Sequence, residues 1–254
     1  MKRFISNRIV LEILGIILFV ILWQVLSMIV GQSTFIFPSP KQTIIEATKL
    51  LKDSYIYKCL WQTMLRMFGG FGLALLLAFV FGIIAGSNEK IELVLAPTIS
   101  ILRSLPTATI VYFFLVIVGA RVTPLFIVVL VSFPIIYESI KEGIKNTPIE
   151  YIEAATIDAS SISNTILHVR LPLALPYILV GLVTSFALSL KIEIMAEVIT
   201  GYTRLGLGSA ILAAQRSDPT NMVPVFAYSL VAIILILIFD AIANVVRNKV
   251  EKSM

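Results

Sequence analysis

The residues of this chain that could do chemistry fall in two places. Lys191, Glu193 and Glu197 interrupt an apolar run that starts at Leu171, and ionisable groups in a segment of membrane length are costly enough to be candidates for function. Glu150, Glu153 and Asp158 stand in the longest polar interval, 139–171, beside Ala154, Ala155, Ala159 and Ser160. One His and one Cys provide neither a His/Cys metal set nor an internal disulfide, so no metal and no bound cofactor is expected. No Gly-x-x-x-x-Gly-Lys-Ser/Thr loop occurs, so the chain has no phosphate cradle with which to use ATP itself. No His/Asp/Glu set falls inside the apolar runs at metal or nucleophile spacing, which argues against a membrane-embedded enzyme.

Depth decides how the first group reads. From a helix start at Pro172, Lys191 lies about 28 Å along, near the outer boundary of an untilted span. The helical wheel puts Glu193 and Glu197 on one face with Lys191 roughly opposite. In one reading Lys191 snorkels to the interface and the carboxylates cap or solvate the helix end. In the other, the three groups line the outer gate of a translocation path. Ser185 and Ser189, four residues apart on one face, suit a helix contact or a polar solute, and helix packing is the simpler use. Arg66 reads as a snorkelling side chain at the outer start of the second span, and His168 as an interface residue.

The elements that must position these groups are membrane helices. Of 254 residues, 58% are hydrophobic and 14% charged, and the mean hydropathy is +0.98, which excludes a soluble globular domain. A helix crosses the hydrocarbon with about 20 mostly apolar residues. The runs give six spans, at about 9–30, 63–87, 104–119, 122–138, 172–199 and 220–246, within one domain covering 1–254. The predicted fold is therefore an all-α integral membrane protein with six transmembrane helices. A tight turn at Gly119-Ala120-Arg121 separates the third span from the fourth. The apolar stretch after Met1-Lys2-Arg3 is too long for a signal peptide and has no small-x-small site at Val30 to Ser33, so it reads as an uncleaved first helix.

Six crossings put both termini on one side, and both are basic. With the termini cytoplasmic, eleven Lys/Arg lie inside and seven outside, the bias that the positive-inside rule expects. The net charge of +5 is spread between the apolar blocks, a pattern that suits lipid headgroups and not nucleic acid. Phe37-Pro38-Ser39-Pro40 breaks the chain after the first span, and 43–51 reads as a short amphipathic surface helix. Residues 91–103, with Pro97 inside, lie along the inner interface before Pro106 opens the third span.

In the interval 139–171, Thr147-Pro148-Ile149-Glu150 combines an N-cap residue, a proline at the first helical position and a capping-box glutamate. A second short helix, roughly 162–169, follows the caps at Asp158, Ser160 and Ser161 and ends before Pro172. Two short helices joined at a bend, with small residues in the middle, make a knob suited to dock on another protein. A loop that only returns the chain is the alternative.

These residues carry a resemblance. Glu153-Ala154-Ala155, Asp158-Ala159-Ser160 and Leu171-Pro172 resemble the EAA loop of binding-protein-dependent ABC importer permeases, whose seventh position is Gly. Here it is Ala159, which resists a left-handed turn by about 1 kcal/mol or more. Phe37-Pro38-Ser39-Pro40, Thr63-Met64-Leu65-Arg66, Gly69-Gly70-Phe71, Arg103-Ser104-Leu105-Pro106, Ala196-Glu197 and Gly206-Leu207-Gly208 are similar to the nitrate/sulfonate/taurine/bicarbonate branch, from about Phe35 onward.

The resemblance implies the type I ABC importer permease fold in a bacterial plasma (inner) membrane, and a homodimer with the solute path near its axis. It implies a cytoplasmic ABC ATPase dimer, which binds the ATP and is seated on Glu150, Glu153, Ala154, Ala155, Asp158, Ala159 and Ser160. It also implies an extracytoplasmic solute-binding protein. The alternatives are the transmembrane component of a vitamin-type (energy-coupling factor) importer, a membrane-embedded enzyme, and a passive channel, which has no need of the knob.

Overall fold

A computed structural model describes residues 2–30, 36–157, 162–201 and 205–251. All regular structure among them is helical. In order come α1 (Lys2–Ile29), α2 (Pro40–Leu50), α3 (Ser54–Ser87), α4 (Glu89–Ser104), α5 (Thr107–Val118) and α6 (Thr123–Lys145). These are followed by α7 (Ile149–Ile157), α8 (Ile162–Thr165), a π-helical turn (Ile166–Arg170), α9 (Leu171–Thr200), α10 (Leu207–Ser217) and α11 (Val223–Glu251).

Five helices are long and apolar enough to cross a bilayer, within α1, α3, α6, the π turn with α9, and α11. In place of the single helix expected at 104–119 there is a pair, α4 and α5, bent by 98°, which passes for a sixth span only if the two are taken together and otherwise forms a re-entrant loop. Pro106 disfavours helical geometry at the residue before it, and Leu105 is extended at φ −67°, ψ 129°. Alone, α5 rises about 18 Å, too little to span. Its far end is the expected turn, where Gly119 takes φ +77°, a conformation glycine adopts without a Cβ penalty.

The packing logic is that of helices in lipid, where apolar surface gains little by leaving the bilayer and close approach of backbones supplies the attraction. Along α3, Gly70, Ala74, Ala78 and Gly82 are buried at four-residue spacing. A Cβ on Gly82 would sit 2.9 Å from Cβ of Ile140, and one on Gly70 2.7 Å from the Leu125 carbonyl oxygen, so α3 lies flush on α6. On the other side of α6, Gly143 abuts Ala174 of α9, where a Cβ would meet another at 3.0 Å. The centre is filled by Ile136, Tyr137, Ile140 and Ile144 of α6. In contrast, α1 is exposed from Val10 to Leu22 and is held at its C-terminal end. There Trp23 Nε1 donates to the Pro38 carbonyl (3.0 Å), Ser27 Oγ donates to that of Phe37 (3.0 Å), and the Trp23 ring lies 6.2 Å from Phe226.

The surface helix expected from residue 43 begins at Pro40. The Ser39 hydroxyl accepts from the Gln42 amide (3.4 Å), the Gln42 side chain accepts from the Ser39 amide (3.0 Å), and proline holds the first helical position.

Candidate functional site

Three of the short motifs singled out in the sequence meet at one buried carboxylate. Glu197 on α9 is fully buried. Thr63 and Arg66, one turn apart on α3, face it, and the start of α10 closes over it. The Thr63 hydroxyl donates to the carboxylate, lying 2.9 and 3.0 Å from its two oxygens, and accepts from the Leu207 amide at 2.8 Å. The Gly208 amide donates to Oε2 of Glu197 at 2.9 Å. Arg66 pairs with Oε1 of Glu197 through one guanidinium nitrogen and donates through the other to the Leu205 carbonyl at 2.5 Å.

The Gly206-Leu207-Gly208 pattern now has a cause. A Cβ on Gly206 would lie 2.6 Å from Oε1 of Glu197, and one on Gly208 would lie 2.7 Å from Cβ of Glu197. Only bare backbone lets the positive end of α10 reach the carboxylate. The arrangement is a clamp that fastens α3, α9 and α10 with charge-assisted hydrogen bonds in a site without water access.

Two expectations are corrected here. Arg66 does not snorkel; its side chain, 16% exposed, turns inward to neutralise Glu197. Glu193 and Glu197 do not solvate a helix end, because both are fully buried. Glu193, one turn before Glu197, has no hydrogen-bond partner for either carboxyl oxygen among the described residues.

The remaining polar side chains of α9 point to different neighbours. Lys191 faces away from the clamp and pairs with Asp240 of α11 at 2.9 Å, the two side chains being 46% and 29% exposed. Ser185 and Ser189 are buried. Ser189 donates to the Ser185 carbonyl (2.6 Å), and its Oγ lies 2.8 Å from Oγ of Ser132 on α6, so the pair serves helix packing. Ser185, Ser189, Glu193 and Glu197, four residues apart in turn, thus lie on one buried face of α9, and Lys191 lies off it.

The knob is present as α7, α8 and the π turn. Glu150, Glu153, Ala154 and Ala155 lie on α7, with Glu150 and Glu153 exposed. Asp158, Ala159 and Ser160 lie outside the described residues. Thr147 Oγ1 donates backwards to the Ile144 carbonyl at 3.0 Å, tying the knob to the end of α6. Two large side chains of α7, Ile149 and Tyr151, are 62% and 55% exposed at this polar end of the bundle. His168, in the π turn, is exposed and has Nδ1 3.2 Å from the Asn164 carbonyl.

A charged cluster between α4 and α6 was not anticipated from the sequence. Lys141 Nζ lies 2.7, 3.1 and 3.3 Å from Glu138, Glu142 and Glu92, and Lys145 Nζ lies 2.8 Å from Glu92. The signal was the i, i+3 and i, i+4 spacing of Glu138, Lys141, Glu142 and Lys145. Among the described residues, no group of three or more His, Cys, Asp or Glu could hold a metal ion.

Residues 78–252, more than half of the chain, match the profile of the family described as the inner membrane component of binding-protein-dependent transport systems. The chain belongs to this family. This permease is a multi-pass inner-membrane component of an ABC importer, and the family places it among transport subunits and not enzymes.

The permease is 25% identical over 232 residues to SsuC of Bacillus subtilis, a permease named for aliphatic sulfonates transport, covering 91% of this chain and 83% of that one. It is 26% identical over 226 residues to the bicarbonate transport system permease protein CmpB of Synechococcus elongatus, covering 84% and 79%. Its fold matches a chain of the inward-facing MetNI methionine ABC transporter (TM-score 0.64, 16% identity, 77% of this permease and 96% of that chain). It also matches a chain of an amino acid ABC transporter with histidines (TM-score 0.64, 19% identity, 82% and 97%).

Proposed function

We propose that the permease works as a homodimer with cytoplasmic termini, the two copies enclosing the solute path, and that it is driven by a separate ATPase dimer seated on the hairpin at 139–171. An extracytoplasmic receptor delivers the solute. The observation that carries this reading is the placement of the hairpin. It is continuous with α6 at one end and, through the π turn, with α9 at the other, and these helices form the packed centre. A push on α7 therefore moves the two rods that the rest of the bundle follows, because packed helices rearrange as rigid pieces. The exposed Ile149 and Tyr151 provide the apolar part of a docking face, and Glu150 and Glu153 the ionic part.

The relatives named for aliphatic sulfonates and bicarbonate make a small anion the first solute class to assay. The Glu197 clamp, enclosed within one chain, is read as a fastening of the α10 end and not as a wall of the path. The test of coupling is a Glu153→Lys, Ala154→Asp double variant. It is expected to insert and fold but to lose ATPase retention on purification, together with solute-stimulated hydrolysis. Transport at the parental rate by this variant would remove the docking role.

A further inference from the structure

Two cavities flank the elbow between α4 and α5, and Arg103, of the Arg103-Ser104-Leu105-Pro106 motif, lines both. The smaller, about 130 Å³, lies between α4 and α6 and is lined by Ser100, Tyr137, Glu92, Glu138 and Lys141 beside Arg103. The larger, about 280 Å³, is lined by apolar side chains of α4, α5, α6 and α9, such as Ile110, Leu130 and Leu188; Thr107 is polar, and Arg103 is the charge.

The smaller cavity has its carboxylates paired with lysines and one buried donor without an acceptor. Lys141 is shared among Glu138, Glu142 and Glu92, and Lys145 takes Glu92 as well, so the carboxylates have ammonium partners. Arg103 makes no ion pair among the described residues. The Tyr137 hydroxyl, on a side chain 1% exposed, has no hydrogen-bond partner among the described residues although it lies within electrostatic reach of Lys141, Glu138 and Glu92. A buried hydroxyl without a partner costs about 1–3 kcal/mol, and this one lines a cavity that a guanidinium also lines. The buried Tyr137 hydroxyl lacks an acceptor, and the exposed Arg103 guanidinium and Ser100 hydroxyl, which line the same cavity, are donors open to an oxyanion. The three carboxylates nearby are paired with Lys141 and Lys145, and the unpaired Arg103 brings the local formal charge to zero before an anion binds.

We propose that these cavities form one binding site for an amphiphilic oxyanion, its sulfonate, carboxylate or phosphate head held by Arg103, Tyr137 and Ser100 and its apolar body in the larger cavity. The head chemistry fits a solute on its way through the permease or the phosphate of an anionic lipid. The solute source rests on the function proposed above; the site itself does not.

The test uses the full chain in nanodiscs of phosphatidylcholine, titrated with hexanesulfonate, beside native mass spectrometry of chain extracted from membranes containing phosphatidylglycerol. If the source is solute, hexanesulfonate binds, and Arg103→Gln weakens binding at least about tenfold, the loss of one charge-assisted bond pair. Tyr137→Phe, which keeps the buried ring, weakens it about threefold. If the source is lipid, hexanesulfonate is not bound, but phosphatidylglycerol stays with the parental chain and is lost from Arg103→Gln. Equal retention of both probes by the parent and by both variants, or no binding of either probe by the parent, overturns the proposal. Neither of these results touches the coupling test on α7, so the two readings fail separately.

Discussion

Glu193 and Glu197 are the same residue type one turn apart in the same buried stretch, yet their surroundings give them opposite roles. Glu197 is surrounded by the Arg66 guanidinium, the Thr63 hydroxyl and the Gly208 amide, so removing its charge leaves the mostly buried Arg66 with the Leu205 carbonyl but no counter-charge. Glu197→Gln is expected to destabilise the permease by about 3 kcal/mol, the range for breaking a buried pair from one side. Glu193 has no such partners, and Glu193→Met is expected to be neutral or to stabilise by about 1–3 kcal/mol through removal of an unsatisfied polar group. Unfolding of the purified chain in a denaturing-detergent titration checks both, and a loss of stability in Glu193→Met would mean that the carboxyl has a partner. Lys191→Met breaks only the exposed pair with Asp240 and is expected to shift stability by no more than about 0.5 kcal/mol in the same titration.

Between elements, energy is concentrated where helices meet through small residues. The contact of α3 with α6 depends on Gly70, Ala74, Ala78 and Gly82 having nothing larger to place between the backbones. Ala78→Leu is expected to push the helices apart and cost about 1–3 kcal/mol, as overpacking does, whereas Leu76→Ala, on the exposed side of the same helix, is expected to cost far less. Thermal unfolding in a fixed detergent separates them, and equal costs would mean that α3 is not seated on α6 by this stripe. Gly206→Ala tests the third junction, since its new methyl would meet Oε1 of Glu197. It should loosen α10, read as faster protease cleavage near residues 201–207, while the α3–α6 contact stays intact.

For the whole molecule, the bundle divides into a packed centre of α3, α6 and α9 and a first helix attached at one end. Because α1 is fastened through Trp23 and Ser27 to the segment at Phe37 and Pro38, and Val10 to Leu22 are exposed, the part of α1 before Trp23 is expected to contribute little to the remainder. A chain lacking residues 2–15 is expected to keep the helix content of α2 to α11 and its unfolding midpoint within a few degrees. Circular dichroism in detergent measures both, and collapse of the midpoint would assign α1 a role in the core.

The elements were largely legible in the sequence because each depends on a local cause. Lipid demands about 20 apolar residues per span, Gly119 supplies the turn into α6, and a short helix follows Thr147-Pro148 as expected. However, α2 starts three residues before the expected 43, and the Thr147 hydroxyl donates back to Ile144 in place of the expected capping box. The bent pair was half legible: Pro106 marks a break, but the angle between α4 and α5 depends on how each packs on α6. Tertiary structure alone decided which ionisable groups meet. Glu197 lies 131 residues from Arg66 and 134 from Thr63, and no periodicity within α9 reveals a partner on α3. Whether a carboxylate in an apolar run is a wall, a clamp or an orphan depends on the distance to charges brought near by other helices, because Coulomb interaction falls with separation in space and not along the chain.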